Sequence, residues 1–221
     1  MRSGLGGGPL PAPRFRLLAI SDRRTLPGGD VDACLRWLGA LEILGEAGIG
    51  ACQIREKDLS DRDLLDLALR ARAVLSARVD LLINGRIDVA LAAGADGVHL
   101  PGDGLPIPPL RAQFGQEIAI GRSTHALAEV ERARDEGADY ATFGPIYETP
   151  SKAAFGPPLG LEAFRQAARV GLPLFALGGV TLERLPELAV AGAAGIAGIR
   201  IFQDVAALPR LVAATRSLFG P

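Results

Sequence analysis

Three segments of this chain repeat one joint: Gly94-Ala95-Asp96-Gly97-Val98, Gly137-Ala138-Asp139-Tyr140-Ala141 and Gly192-Ala193-Ala194-Gly195-Ile196. Each reads as a helix that ends in glycine, followed at once by a new strand. Glycine at that position takes the left-handed conformation that stops a helix, without steric cost. Repetition of the joint implies a chain of β/α units. Eight short apolar runs supply the strands: Phe15–Ser21, Gly50–Ile54, Leu81–Asn84, Gly97–Leu100, Ile118–Gly121, Tyr140–Phe143, Leu174–Leu177 and Gly195–Ile199. Most are apolar throughout rather than alternating, as strands of a parallel sheet covered on both faces are. Amphipathic stretches lie between them. In Ser60–Ser76, the residues Leu64, Leu65, Leu67, Ala68, Ala71 and Leu75 share one face, and Ser60 precedes Asp61 and Asp63 as a cap should. Ala126–Glu136 is a second such helix. Eight units favour closure into a single (β/α)8 TIM barrel over an open doubly wound sheet. A length of 221 residues is at the low end for such a barrel and leaves no room for a second core.

Polar residues gather where the strands end. Ile49 to Ile54 leads into Arg55-Glu56-Lys57, with Gln53 just before. Leu81-Leu82-Ile83 leads into Asn84-Gly85-Arg86, and Val98 into His99. Ile118 to Ile120 leads into Gly121-Arg122-Ser123-Thr124-His125, and Phe143 into Gly144-Pro145 and onward to Thr149-Pro150-Ser151-Lys152. Side chains collected at the carboxyl ends of successive parallel strands are how such barrels build active sites, so the chain is expected to be an enzyme.

Composition narrows the chemistry. With 24 Lys and Arg against 25 Asp and Glu, the net charge of -1 gives no overall field for nucleic acid or an anionic membrane. There is no apolar run long enough to span a bilayer, so the cytoplasm is the default. A homo-oligomer is left open. Cys34 and Cys52 have neither metal-ligand nor disulfide spacing and read as buried thiols. Residues 1–14, rich in Gly and Pro, read as a disordered leader, and 15–221 as the barrel.

Gly178-Gly179 follows the seventh strand and precedes a helix starting near Thr181. Backbone N–H groups in such a turn can approach a phosphate, and barrels often bind phosphate after strands seven and eight. Arg200, at the eighth strand end, is a natural partner for it. His125 sits just past a strand end among polar neighbours and is the candidate general acid/base, because imidazole titrates near neutral pH. His99 reads as packed within its strand end. Arg55 and Lys57 alternate along an extended segment, so both face a ligand while Glu56 points away into an ion pair. Lys152 lies in a long loop with Gly156-Pro157-Pro158 that suits a lid. Asp88 and Asp139 read as structural.

Together these blocks resemble the thiamine-phosphate synthase and TenI family, from about Phe15 to Phe219. The resemblance rests on Gln53-Ile54-Arg55-Glu56-Lys57, Ile83-Asn84-Gly85-Arg86, Ala95-Asp96-Gly97-Val98-His99-Leu100 and Gly121-Arg122-Ser123-Thr124-His125. It continues through Gly137-Ala138-Asp139-Tyr140, Thr149-Pro150-Ser151-Lys152 and Gly178-Gly179. It implies a barrel acting on thiazole phosphate. Synthases of the family couple a pyrimidine diphosphate to thiazole phosphate, and they resemble this chain at Gln53, Arg55, Lys57, Asn84, Ser123, Thr149, Ser151 and Lys152. They also hold Mg²⁺ on two aspartates, where this chain has Gly85 and Gly104, with Asp103 one residue away. A hard cation bridging a diphosphate needs carboxylate oxygens. TenI-like tautomerases need no metal: they shift a proton in a carboxy-thiazole phosphate to make the ring aromatic, and the resemblance assigns the base to His125. The expectation is therefore a thiazole tautomerase without a cofactor. The alternatives are a Mg²⁺-dependent synthase and a non-catalytic regulator that binds thiazole phosphate. The family often has Ser where Arg200 stands, and Lys57 with Thr149-Pro150-Ser151-Lys152 is more synthase-like.

Overall fold

A computed structural model of the chain describes residues 13–43, 50–149 and 156–220. The expected lead segment and the Pro150-Ser151-Lys152 block fall largely outside these. Eight parallel strands close into one barrel in chain order. They are β1 (Leu17–Ile20), β2 (Ala51–Ile54), β3 (Asp80–Asn84), β4 (Gly97–Leu100), β5 (Ala119–Thr124), β6 (Tyr140–Phe143), β7 (Leu174–Leu177) and β8 (Gly195–Gly198). The helices are α1 (Val31–Ile43), α2 (Asp61–Val74), α3 (Ile87–Ala92), α4 (Ile107–Phe114), α5 (Leu127–Asp135), α6 (Gly160–Ala168), α7 (Leu185–Val190) and α8 (Leu208–Phe219). Pairing of β1 with β8, Leu17 opposite Ile196, closes the ring. None of the described helices is long and apolar enough to cross a membrane.

The apolar runs are continuous because each strand is buried on two sides, and successive residues go to two cores. Leu17, Ala19, Cys52, Ile54, Leu81 and Ile83 pack outward under the helices. Leu18, Ile20, Ala51, Leu82, Tyr140, Phe175 and Ala197, with Phe15, fill the barrel interior. Phe15, Tyr140 and Phe175 form a ring cluster with centroids 5.1–5.5 Å apart. Both cysteines are buried, as expected, and burial pushes the Cys34 thiol up to about 12.

The glycine joints behave as expected: Gly94, Gly137 and Gly192 have φ of 63°, 90° and 92°. Ser60 caps α2 by accepting from the Asp63 N–H. Most boundaries fall within about two residues of expectation, and two differ by more. β5 runs to Thr124 rather than stopping at Gly121, because its pairing with β6 continues to Thr124 opposite Phe143. Arg122 therefore lies inside a strand, on its outer side, and donates to the carbonyls of Pro101 and Leu105 at 2.8 and 2.6 Å. After β7 the chain first makes a 3-10 turn, Leu182–Arg184, before α7 begins at Leu185, where Pro186 fits the first helical turn.

Candidate active site

The β2 end is held from beneath. Glu56 is only 4% exposed and accepts from the Ser21 hydroxyl at 2.6 Å and from the Arg23 guanidinium at 3.0 Å. Ser21 accepts in turn from the Arg55 N–H at 2.9 Å. Glu56 thus turns away from the mouth, as alternation requires, and its contacts fix the backbone that presents Arg55. Arg23 also forks onto Asp58, and that contact holds the Asp58 carboxyl at about 2. Arg55 is half-buried, and its guanidinium has no ion-pair partner among the described residues. Lys57 is exposed on the same segment.

Gln53 and Asn84 meet across β2 and β3, with the Gln53 amide donating to Asn84 Oδ1 at 3.0 Å. Gln53 is 1% exposed and its Oε1 has no partner among the described residues, so a buried acceptor is left open beside the mouth. His99 is paired in register with Asn84 and reaches Ser123 on the next strand, Nε2 to Oγ 2.9 Å. Burial first, then the nearby Arg122 and Arg55 charges, drives the His99 pKa down to about 3, so the ring is neutral. His99 is a packed interior histidine, as its place in the strand implied.

His125 is exposed at the end of β5. Its backbone N–H donates to Glu129 at 2.6 Å, and its Nδ1 contacts the Gly144 carbonyl at the end of β6. A carbonyl can only accept, so Nδ1 carries the proton and, in the neutral ring, Nε2 holds the lone pair.

Gly178 and Gly179 have φ of 93° and 64°, conformations that favour glycine. A second reason for glycine emerges from packing. A Cβ at Gly178 would lie 2.6 Å from Pro145, and one at Gly179 would lie 2.7 Å from Tyr147 Cβ and the Glu148 carbonyl. The β6–α6 connection therefore rests on this turn. Tyr147 is fixed there by Arg184, whose guanidinium lies 4.0 Å from the ring centroid, and by a 2.5 Å donation to Glu187. Arg200 is exposed at the start of a 3-10 turn (Arg200–Phe202) directly after β8. Thr149 is half-buried, while Ser151 and Lys152 lie outside the described residues.

Gly85 and Gly104, where the resemblance implies the synthase aspartates, come together. A Cβ at Gly85 would lie 3.4 Å from Pro101, and one at Gly104 would lie 3.0 Å from the Pro101 carbonyl oxygen and Cδ. The two positions thus flank one proline, and a side chain at the second is tight enough that Pro101 must give by a few tenths of an ångström. Asp103 is exposed on the same turn. Among the described residues no three His, Cys, Asp or Glu side chains gather as metal ligands would. The two acid positions themselves offer no side-chain oxygen, while Asp103 lies beside Gly104 and the Glu129 and Glu136 carboxylates line the same cleft.

Alternation along neighbouring strands locates one group that motifs alone do not reveal. Tyr140 and Thr142 on β6 face the same interior as His99 and Ser123, with contacts to His99 of 3.0 and 3.4 Å. Register between β4, β5 and β6 is the signal that finds them.

Comparison with known proteins agrees with this architecture. The family described as thiamine monophosphate synthase matches residues 31–202. A protein of Geobacter sulfurreducens, provisionally named a thiamine-phosphate synthase, is 45% identical over 186 residues, 83% of this chain and 84% of that one. The thiamine-phosphate synthase of a Roseiflexus species is 39% identical over 212 residues, 95% and 86% of the two chains. The solved thiamine phosphate pyrophosphorylase of Pyrococcus furiosus superposes with a TM-score of 0.75 at 28% identity, covering 92% of this chain and 98% of that one. The chain belongs to the thiamine monophosphate synthase family.

Proposed function

We propose that the chain binds a thiazole phosphate at the carboxyl-terminal mouth of the barrel and moves a proton on it, as a thiazole tautomerase does. The observation that carries the proposal is the orientation of His125, whose Nδ1–H is committed to the Gly144 carbonyl, leaving Nε2 as the basic atom on an exposed ring. A proton leaves the non-aromatic ring to Nε2, and the imidazolium returns one to the exocyclic alkene carbon. The product is the aromatic isomer, with no redox change and no leaving group. Arg55 and Arg200 are the cations proposed to hold the carboxylate and phosphate, with the Gly178-Gly179 turn contributing backbone N–H groups. No metal enters this step.

A second reading is coupling of a pyrimidine diphosphate to thiazole phosphate. The names of the relatives support this transferase reading better than the isomerase. The open acceptor on Gln53 and the cation Lys57 also suit it. The residues at Gly85 and Gly104 favour the proton shift instead, since a diphosphate leaving group would lack the carboxylate-held cation.

The test is His125→Asn, which keeps the size of the side chain and removes its titrating base. General acid/base groups contribute about 10²–10⁴-fold, so tautomerisation of the carboxy-thiazole phosphate is expected to slow by that factor, with affinity nearly unchanged. Unchanged turnover would remove His125 from the reaction. Binding without any turnover in the unaltered protein would favour the regulator instead.

A further inference from the structure

The barrel interior contains a hydrogen-bonded chain that the reaction above does not use. Tyr140 Oη lies 3.0 Å from His99 Nδ1, and His99 Nε2 lies 2.9 Å from Ser123 Oγ. Tyr140 and His99 are both buried. Tyr140 is flanked by Phe15 and Phe175, with ring centroids 5.4 and 5.5 Å away. Gly121 makes room for the pair: a Cβ there would lie 2.2 Å from Tyr140 Cζ and 2.6 Å from His99 Nδ1.

The direction of each bond follows from what the neighbours can accept. Among the described residues, His99 Nδ1 is the one hydrogen-bond partner of the Tyr140 hydroxyl. A buried hydroxyl proton without an acceptor is costly, so Tyr140 donates and Nδ1 is the bare nitrogen. A neutral ring then carries its proton on Nε2, which donates to Ser123 Oγ and, at 3.4 Å, more weakly to Thr142. Ser123 has spent an acceptor lone pair on His99, and no other described partner takes its own proton. Ser123 is half-exposed and lines a cleft with Gly102 and Gly104, with Arg122 and Arg132, and with the carboxylates of Glu129 and Glu136.

We infer that Tyr140 and His99 are positioning residues that keep the Ser123 hydroxyl proton from being spent on the His99 ring, so that Ser123 donates it at the mouth to a ligand acceptor such as a phosphate or carboxylate oxygen. The inference rests on the mouth being a ligand site, not on which of the two reactions it runs. His125 is tied to a carbonyl through Nδ1, so the two histidines of the chain are expected to be opposite tautomers.

Long-range ¹H–¹⁵N correlation spectra of the ligand-free protein test this directly, since only two imidazoles contribute. The expected result is a protonated Nε2 and bare Nδ1 for His99, with the reverse for His125. A protonated Nδ1 on His99 would overturn the inference, whatever the enzyme turns over. The second arm is calorimetric titration with inorganic pyrophosphate. Ser123→Ala and Tyr140→Phe are each expected to weaken binding about tenfold, the size of one hydrogen bond to a charged group. The double variant should be no weaker than Ser123→Ala, because Tyr140 acts only through that hydroxyl. Additive losses, or no pyrophosphate binding by the unaltered protein, would also overturn it. Retained folding of Tyr140→Phe is checked by its unaltered melting transition.

Discussion

At the scale of single residues, both ends of the barrel carry ionisable groups in contrasting surroundings. The mouth holds cations, acids that pair with some of them and a neutral buried histidine. The opposite end holds Asp80, the first residue of β3, whose carboxyl is raised to about 6. Burial is the main cause and Asp96 adds to it, while Arg14 and Arg72 act against it. The folded state therefore binds this proton more tightly than the unfolded chain does. Ionising Asp80 costs nothing below about pH 4, where it is protonated in both states. The cost grows between about pH 4 and pH 6 and is complete above that range. Asp80→Asn is expected to raise the melting temperature at pH 8 and to change it little at pH 4. Equal gains at both pH values would mean that the charge of Asp80 is not what burial opposes. Some of this residue-level detail is legible in sequence and some is not. Alternation alone sends Glu56 away from the mouth while Arg55 stays near it. The partners of Glu56, Ser21 and Arg23, come from the segment just after β1, 33 to 35 residues earlier, and only the pairing of β1 with β2 brings them together.

At the scale of elements, the repeated glycine joint does more than end a helix. In its first two copies the joint includes an aspartate, and both aspartates do the same work. Asp96 accepts from the Leu81 N–H at 2.7 Å and from Arg72 at 2.7 Å. Asp139 accepts from the Ile120 N–H at 2.6 Å and from Arg111 at 2.6 Å. Each carboxylate thus ties the start of its own strand to the neighbouring strand and to the helix that precedes that neighbouring strand, α2 for Asp96 and α4 for Asp139. The third copy has Ala194 instead and relies on backbone pairing alone, Ala194 N–H to the Leu174 carbonyl at 2.9 Å. Asp139 and Arg111 are both largely buried, so removing one leaves the other without its partner. Asp139→Ala is expected to cost about 3 kcal/mol in urea melts, as breaking a buried pair does. The exposed Asp103→Ala should stay within about 0.5 kcal/mol, as surface substitutions do. Equal effects of the two would show that the joint is ordinary surface charge. A structural role for Asp139 was readable from its position before a strand. The extra length of β5 was not, because Arg122-Ser123-Thr124 looks like a loop until its partner strand extends alongside it.

At the scale of the whole molecule, the barrel was legible because its evidence is distributed. Eight apolar runs and three glycine joints all agree, and no single misplaced boundary changes the count. The reaction is harder to read, because it turns on a few positions around one proline. Gly85 and Gly104 could be identified from sequence as the places where acids are absent. That Pro101 occupies the space beside both becomes visible only in three dimensions. The resemblance places residues of the coupling enzymes at the same mouth, and the relatives carry the synthase name. The decisive measurement is a paired assay on the unaltered protein: isomerisation of carboxy-thiazole phosphate in EDTA, and coupling of pyrimidine diphosphate to thiazole phosphate in excess Mg²⁺. The account predicts full isomerisation without metal and no detectable thiamine phosphate. Robust Mg²⁺-dependent coupling, with no isomerisation in EDTA, would contradict it and establish the transferase reading in its place.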